Sequence, residues 1–180
     1  ATALAQRGWR VRVHERMPDV RVVGSGLSIF ENALRVLRAL GAYDDAVRGA
    51  REGFERETRN GEGRTTSRVR YDTRMFEITR AQVLDALVKA AERAGATIVK
   101  GSAVASIDRE GEVALDSGER IRTDLAVAAD GVHSRLRDAL GLAVHRRQLA
   151  DGAIRIMIPR TADEARSEDG GKNIEYWSGT

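Results

Sequence analysis

Short alternating stretches and longer helical periods divide this chain. After Gly8, WRVRVHER (9–16) alternates apolar and polar positions and ends in charge, which predicts a short strand. A loop with glycine and serine, VVGSGLS (22–28), follows. ENALRVLRALG (31–41) sets Leu34, Leu37 and Leu40 at helical spacing before Gly41, and Ser28 with Glu31 predicts a capping box at the helix start. Residues 53–76 are polar and arginine-rich, with weak alternation in SRVRYDTRMF (67–76). They predict an extended excursion of two strands, candidates for the sheet of a second domain. Thr79 and Gln82 predict another capping box, and the helix over 80–95 carries Val83, Leu84, Leu87, Val88 and Ala91 on one face, with Gly95 behind it. ATIVKG (96–101) reads as a strand. Residues 103–124 read as a small meander broken at Glu110-Gly111 and Ser117-Gly118. LAVAAD (125–130) is apolar up to its last residue, which predicts a strand buried on both faces between parallel neighbours. A helix follows over roughly 134–140, and alternation returns in GAIRIMIPR (152–160), the expected start of a new sheet. The order of elements predicts an α/β fold with a mainly parallel sheet and an inserted β-meander. Two domains are expected, over 1–150 and 151–180.

Composition narrows the classes. Of 180 residues, 42% are hydrophobic and 32% charged, so both a packed core and a solvated surface are expected, while 4% aromatics leaves that core to Ala, Val, Leu and Ile. The cations are nearly all arginine and are scattered among acids despite a net charge of +3, which argues against a nucleic-acid surface. The absence of cysteine excludes disulfides, thiolate metal sites and a cysteine nucleophile, and it fits a cytoplasmic protein. No stretch approaches the roughly 18 apolar residues of a membrane span. ATALAQRGW reads as the last turns of a helix closed by Gly8, and IEYWSGT ends inside an expected strand, so a fragment of a longer protein is expected.

Four places carry candidate chemistry. Glu15 follows the first strand, where a dinucleotide-binding βαβ unit has an acid for ribose hydroxyls, although surface glutamates at strand ends are common. Gly24 and Gly26 allow a flat ligand to approach the backbone, and Ser28 is either a donor or merely a helix cap. Arg80 lies in the first turn of a helix, where the dipole disfavours a cation unless it meets an anion or solvent. Asp130-Gly131 ends the apolar strand and opens a helix, with Ser134 and Arg137 at the spacing DGxxSxxR. Ligands gather at such strand ends, and helix N-termini attract anions; capping and a surface ion pair are the plainer reading. The sequence neighbours Asp130, His133 and Ser134 cannot face one another as a catalytic triad requires, and no metal-binding spacing is present.

HER (14–16), GSGLSIFENALRVLRALGAYD (24–44), ITRAQVLDAL (78–87) and DLAVAADGVHSRLR (124–137) together resemble the FAD-dependent aromatic hydroxylases. These are single-component flavoprotein monooxygenases of the p-hydroxybenzoate and salicylate hydroxylase type. The resemblance implies a glutathione-reductase-type, Rossmann-like FAD domain with a separate substrate sheet. It implies that Glu15 binds the adenosine ribose, that Arg16 and Ser28 line the FAD site, and that the Gly24–Leu27 backbone, Gly26 included, lies beside the isoalloxazine. Arg80 would contact the flavin or its phosphates and Val104 the adenine side through its backbone. Asp130 would sit near the pyrophosphate and ribitol, with Gly131, Ser134 and Arg137 holding that turn. In that family NAD(P)H reduces FAD, which reacts with O2 to give a flavin hydroperoxide that hydroxylates a phenolic or other aromatic substrate. A homodimer is compatible with it. Same-fold epoxidases, halogenases and reductases, or a non-catalytic flavoprotein-like fragment, remain alternatives, and the GxGxxG loop and later Gly-Asp motif of the family are absent from the chain.

Overall fold

The structure, a computed structural model, describes residues 1–20, 25–142, 145, 147–148, 150, 158–159, 161–167 and 169–177. It is α/β, with three sheets among the described residues. The first is a parallel pair, β1 (Arg12–His14) with β5 (Thr97–Val99), in register from Arg12↔Thr97 to His14↔Val99. A short helix, α1 (Thr2–Ala5), precedes β1. Its end is closed as expected, with Trp9 N donating to Leu4 O, Gly8 N to Ala5 O, and Gly8 at φ +84°.

Between β1 and β5 the chain builds most of the second sheet and its helical cover. The strands β2 (Gly26–Phe30), β3 (Arg51–Asn60) and β4 (Thr65–Thr79), with β9 (Lys172–Trp177), are ordered β2-β4-β3-β9. The excursion over 53–76 is thus a long antiparallel hairpin, as its pattern predicted. Asn60 makes its turn by accepting the amides of Glu62 and Arg64 on its side chain. A bulge between Gly53 and Glu55 leaves Tyr71–Arg74 out of the regular ladder. β9 joins β3 in parallel from Glu55↔Lys172 to Asn60↔Trp177.

The helices α2 (Glu31–Ala39), α3 (Tyr43–Val47) and α4 (Arg80–Arg93) cover one face of this sheet. Leu34 and Leu37 of α2, Ala46 of α3, Ala86 and Ala90 of α4, and Phe76 and Ile78 of β4 form one buried cluster. The alanines let α4 approach closely, so its most buried residues are Ala86, Ala90 and Ala91, while Val83 and Leu87 pack at the cluster's margin. Thr79 caps α4, its side chain accepting the Gln82 amide at 3.1 Å, but the expected capping box is only half formed: the Gln82 side chain does not return to the Thr79 amide and donates instead to the carbonyls of Ala46 and Arg48.

The third sheet is the expected meander of β6 (Val104–Ile107), β7 (Glu112–Leu115) and β8 (Arg120–Arg122). The helix α5 (Arg135–Ala139) packs against β6. Another short helix, α6 (Ala162–Arg166), begins with a full capping box between Thr161 and Glu164.

Two further expectations are corrected. Ser28 and Glu31 form no capping box: β2 runs to Phe30, which is the N-cap of α2 with no side-chain bond. Ser28 therefore sits inside a strand and donates to Glu77, while Glu31 accepts from Arg38 at 2.6 Å. LAVAAD is not a strand, and Leu125 and Val127 are 50% and 69% exposed. A strand buried on both faces needs paired neighbours, and no described strand pairs with these residues. The expected new sheet and boundary near Gly152 lie outside the described residues.

Candidate functional site

Glu15 lies at the carboxyl end of β1 and extends the parallel ladder by one residue. Its amide donates to Val99 O at 2.9 Å and its carbonyl accepts from Ser102 N at 2.8 Å. The carboxylate turns back, Oε1 accepting the Met17 amide at 2.9 Å, and Oε2 has no partner among the described residues. Beside it His14 Nδ1 and Ser102 Oγ are 2.8 Å apart, a tie between residues 88 apart in sequence that no local pattern announces. Burial, then the Arg12 charge, lowers the His14 pKa against the opposing pull of Glu119. Arg16 is exposed. Two residues beyond Ser102, Val104 opens β6, the strand against which α5 packs.

The DGxxSxxR segment folds on itself at the start of α5. Asp130 Oδ1 accepts the Ser134 hydroxyl at 2.5 Å, and Ser134 Oγ accepts the Arg137 amide at 3.0 Å as N-cap. Ser134 is buried while Asp130 is exposed. The Ser134 hydrogen bond lowers the Asp130 pKa most, desolvation opposes it, and backbone amides at the helix start add to the lowering, so the surface carboxylate stays anionic. Gly131 takes φ +89° with open space where a Cβ would stand. The Arg137 guanidinium does not reach Asp130; it pairs with Asp138 at 3.0 Å and donates to Val132 O at 3.4 Å.

Gly26, Ser28 and Arg80 form a third group. Gly26 opens β2 opposite Thr79, and a Cβ there would meet Ile78 O at 3.4 Å. Ser25 O accepts the Arg80 amide at 3.2 Å, which seats the first residue of α4 beside this loop. The Arg80 side chain is exposed and unpaired among the described residues. Gly24 lies outside the described residues. Glu15 is bonded to Ser102 just before β6, and α5, which follows the Asp130 turn, packs against β6; among the described residues no hydrogen bond or ion pair joins Gly26, Ser28 and Arg80 to those two groups. A shallow cavity of about 470 Å³ beside the β4 bulge, lined by Glu31, Glu52, Phe54 and Tyr71 among others, contains none of these residues.

The three groups suit an extended dinucleotide. A carboxylate oxygen without a partner at a parallel strand end suits ribose hydroxyls, and an open glycine turn before a helix lets a ligand reach the backbone. An unpaired guanidinium suits an anionic or electron-rich group. Among the described residues no group of three or more acids, histidines or cysteines could hold a metal ion, and no helix is long and apolar enough to cross a membrane.

Residues 1–179 match the family model described as FAD binding domain. The chain belongs to the FAD-dependent aromatic hydroxylase family. Among members of this family, it is 42% identical to a probable 2-heptyl-3-hydroxy-4(1H)-quinolone synthase of Rhodococcus erythropolis, over all of this chain and 48% of that protein. It is 40% identical to the 2-heptyl-3-hydroxy-4(1H)-quinolone synthase of Mycobacteroides abscessus, over 88% of this chain and 43% of that protein. A solved structure of a variant 2-methyl-3-hydroxypyridine-5-carboxylic acid oxygenase matches with a TM-score of 0.91 and 35% identity, covering 98% of this chain and 48% of that one. The chain therefore spans about half the length of the curated relatives it matches.

Proposed function

We propose that this chain is the FAD-holding part of a monooxygenase that uses NAD(P)H and O2 to hydroxylate a phenolic or other aromatic ring. The observation that carries the reading is the Asp130 turn, an exposed carboxylate kept anionic and fixed by Ser134 at the start of α5, within a chain that matches an FAD binding domain over residues 1–179. When bound, FAD supplies hydride acceptance and O2 activation. The protein binds and orients it. Glu15 accepts from the adenosine ribose, Val104 meets the adenine side through its backbone, and Asp130 meets the pyrophosphate and ribitol. Gly131, Ser134 and Arg137 hold the Asp130 turn, Arg16 lines the FAD site next to Glu15, and Gly26, Ser28 and Arg80 line the flavin end.

In this reading residues 1–150 serve FAD, and residues 151–180 begin the substrate-binding part. The pairing of β9 with the β3–β4 hairpin supports counting that hairpin with the substrate sheet. Both relatives and the oxygenase named above carry nitrogen heteroaromatic rings in their names, which supports the same class of substrate here.

The test is direct. The purified full-length protein is expected to be yellow, to release FAD on denaturation, and to oxidise NADH or NADPH faster when an aromatic effector is added. A protein that stays colourless after reconstitution with FAD rules the reading out.

A further inference from the structure

The face of the β2-β4-β3-β9 sheet turned away from the helices carries a polar cluster that the assignments above leave unused. Side chains alternate along a strand. Ile29, Phe76 and Ile78 face the helical core, so Ser28, Phe30, Glu77 and Arg51 face the other way. Glu77 Oε1 accepts twice, from the Ser28 hydroxyl at 2.8 Å and the Asn173 amide at 2.9 Å. Its Oε2 has no partner among the described residues.

Arg51 is the ladder partner of Glu77, yet no ion pair joins them. Asn173 stands between instead, its Oδ1 accepting from Arg51 Nη2 at 3.4 Å and its Nδ2 donating to Glu77 and to Tyr71 OH at 3.2 Å. A donor-only guanidinium on one side and an acceptor-only carboxylate on the other dictate that orientation of the amide. The remaining bond of the Arg51 guanidinium goes to a neutral group, Gly170 O at 2.6 Å. A half-buried carboxylate and a half-buried guanidinium thus lie side by side on this face, each held by neutral partners and neither neutralised by the other. Phe30 and Tyr71 stand beside them edge to face, with ring centroids 5.5 Å apart. The combination suits a planar ring with a hydrogen-bond donor on its rim.

We propose that Glu77, with Arg51 beside it, is the polar end of the aromatic-substrate site, its Oε2 accepting a hydrogen bond from a ring N–H or ring hydroxyl of a planar heteroaromatic. This rests on the flavin reading above, which puts FAD beside Gly26 and Ser28. Ser28 then belongs to both sites: its hydroxyl holds Glu77 in place on the sheet face that the flavin end borders. Glu77 orients the ring and takes no part in electron transfer.

The probe is 2-heptyl-3-hydroxy-4(1H)-quinolone, together with its N-methyl and 3-O-methyl derivatives, each lacking one donor. Binding to the full-length, FAD-loaded protein is read from quinolone fluorescence, and FAD content from absorbance. At least one methylated derivative is expected to bind the wild-type protein roughly tenfold or more weakly than the parent, as loss of a hydrogen bond to a charged group entails. Glu77→Gln keeps an acceptor for Ser28 and Asn173, so FAD content is expected to hold. The variant is expected to bind the parent roughly tenfold more weakly and to lose most of the discrimination between parent and methylated probe. A purely structural role for Glu77 would lower stability without changing that discrimination. A yellow wild-type protein that binds neither parent nor derivatives, or binds all three alike, overturns the proposal whatever the variant does. So does a Glu77→Gln protein that discriminates as the wild type does. A colourless protein instead overturns the flavin reading on which the proposal stands.

Discussion

Glu57 is a fully buried carboxylate, and its neighbours explain why it remains charged. Arg59 Nε lies 2.6 Å away, Thr65 Oγ1 2.9 Å, Arg68 Nε 3.1 Å and Lys172 Nζ 3.5 Å. The Arg59 hydrogen bond, then that of Thr65, brings its pKa from an ordinary 4.5 down to about 2 against the cost of burial. Because the folded value lies below the unfolded one, the stabilisation is complete above the ordinary value and disappears as pH falls from about 4.5 towards about 2. Glu57→Gln is therefore expected to be less stable than the wild type at neutral pH and to lose less further stability across that acid window. Urea titrations at several pH values measure both, and parallel pH profiles for the two proteins would contradict the assignment. Asp130 makes a prediction of the same kind for binding. Asp130→Asn removes the charge that Ser134 holds, and FAD affinity measured by flavin fluorescence is expected to fall roughly tenfold or more. Ser134→Ala removes a cap as well as the anchor, with an expected cost of about 1 kcal/mol in urea unfolding.

Local signals governed the elements that the sequence made readable. The meander turns followed from Glu110-Gly111 and Ser117-Gly118, and both glycines take positive φ, +85° and +88°. They are not equivalent. A Cβ on Gly111 would run into the backbone carbonyl of Thr123, whereas Gly118 has open space. Gly111→Ala is expected to cost about 2 kcal/mol or more in urea unfolding, from backbone strain plus a clash that neither chain segment can avoid. Gly118→Ala carries the strain alone and is expected to cost less; equal losses would count against the clash. The Thr79 cap and the DGxxSxxR turn were legible for the same reason, since every partner lies within a few residues. Ser28 was misread as a cap because its partner Glu77 is 49 positions away across a strand pair. The Arg51–Asn173 contact spans 122 positions and exists only because β9 returns alongside β3, so no local pattern could reveal it.

At the scale of the whole molecule, the apolar run 125–129 shows how a correct local reading can lack its tertiary setting. Its composition suits a central parallel strand, yet among the described residues the parallel sheet consists of β1 and β5 alone, and Leu125, Val127 and Val132 are 50%, 69% and 77% exposed. An extended apolar segment with unpaired backbone groups is a template for pairing with another chain. The 180-residue chain on its own is accordingly expected to bind ANS and to self-associate as its concentration rises. Val127→Lys places a charge on that segment without touching the Leu34–Phe76 core, which lies against the other sheet. The substitution is expected to lower ANS fluorescence and shift the sedimentation profile towards monomer, with unfolding free energy changed by no more than about 0.5 kcal/mol. If the wild-type chain stays monomeric and ANS-silent at the highest concentration tested, the segment is covered in solution and its exposure is not a property of the folded chain. If the lysine variant associates as strongly as the wild type, the contact lies elsewhere on the surface, and the exposed rings of Tyr176 and Trp177 on β9 are the next residues to change.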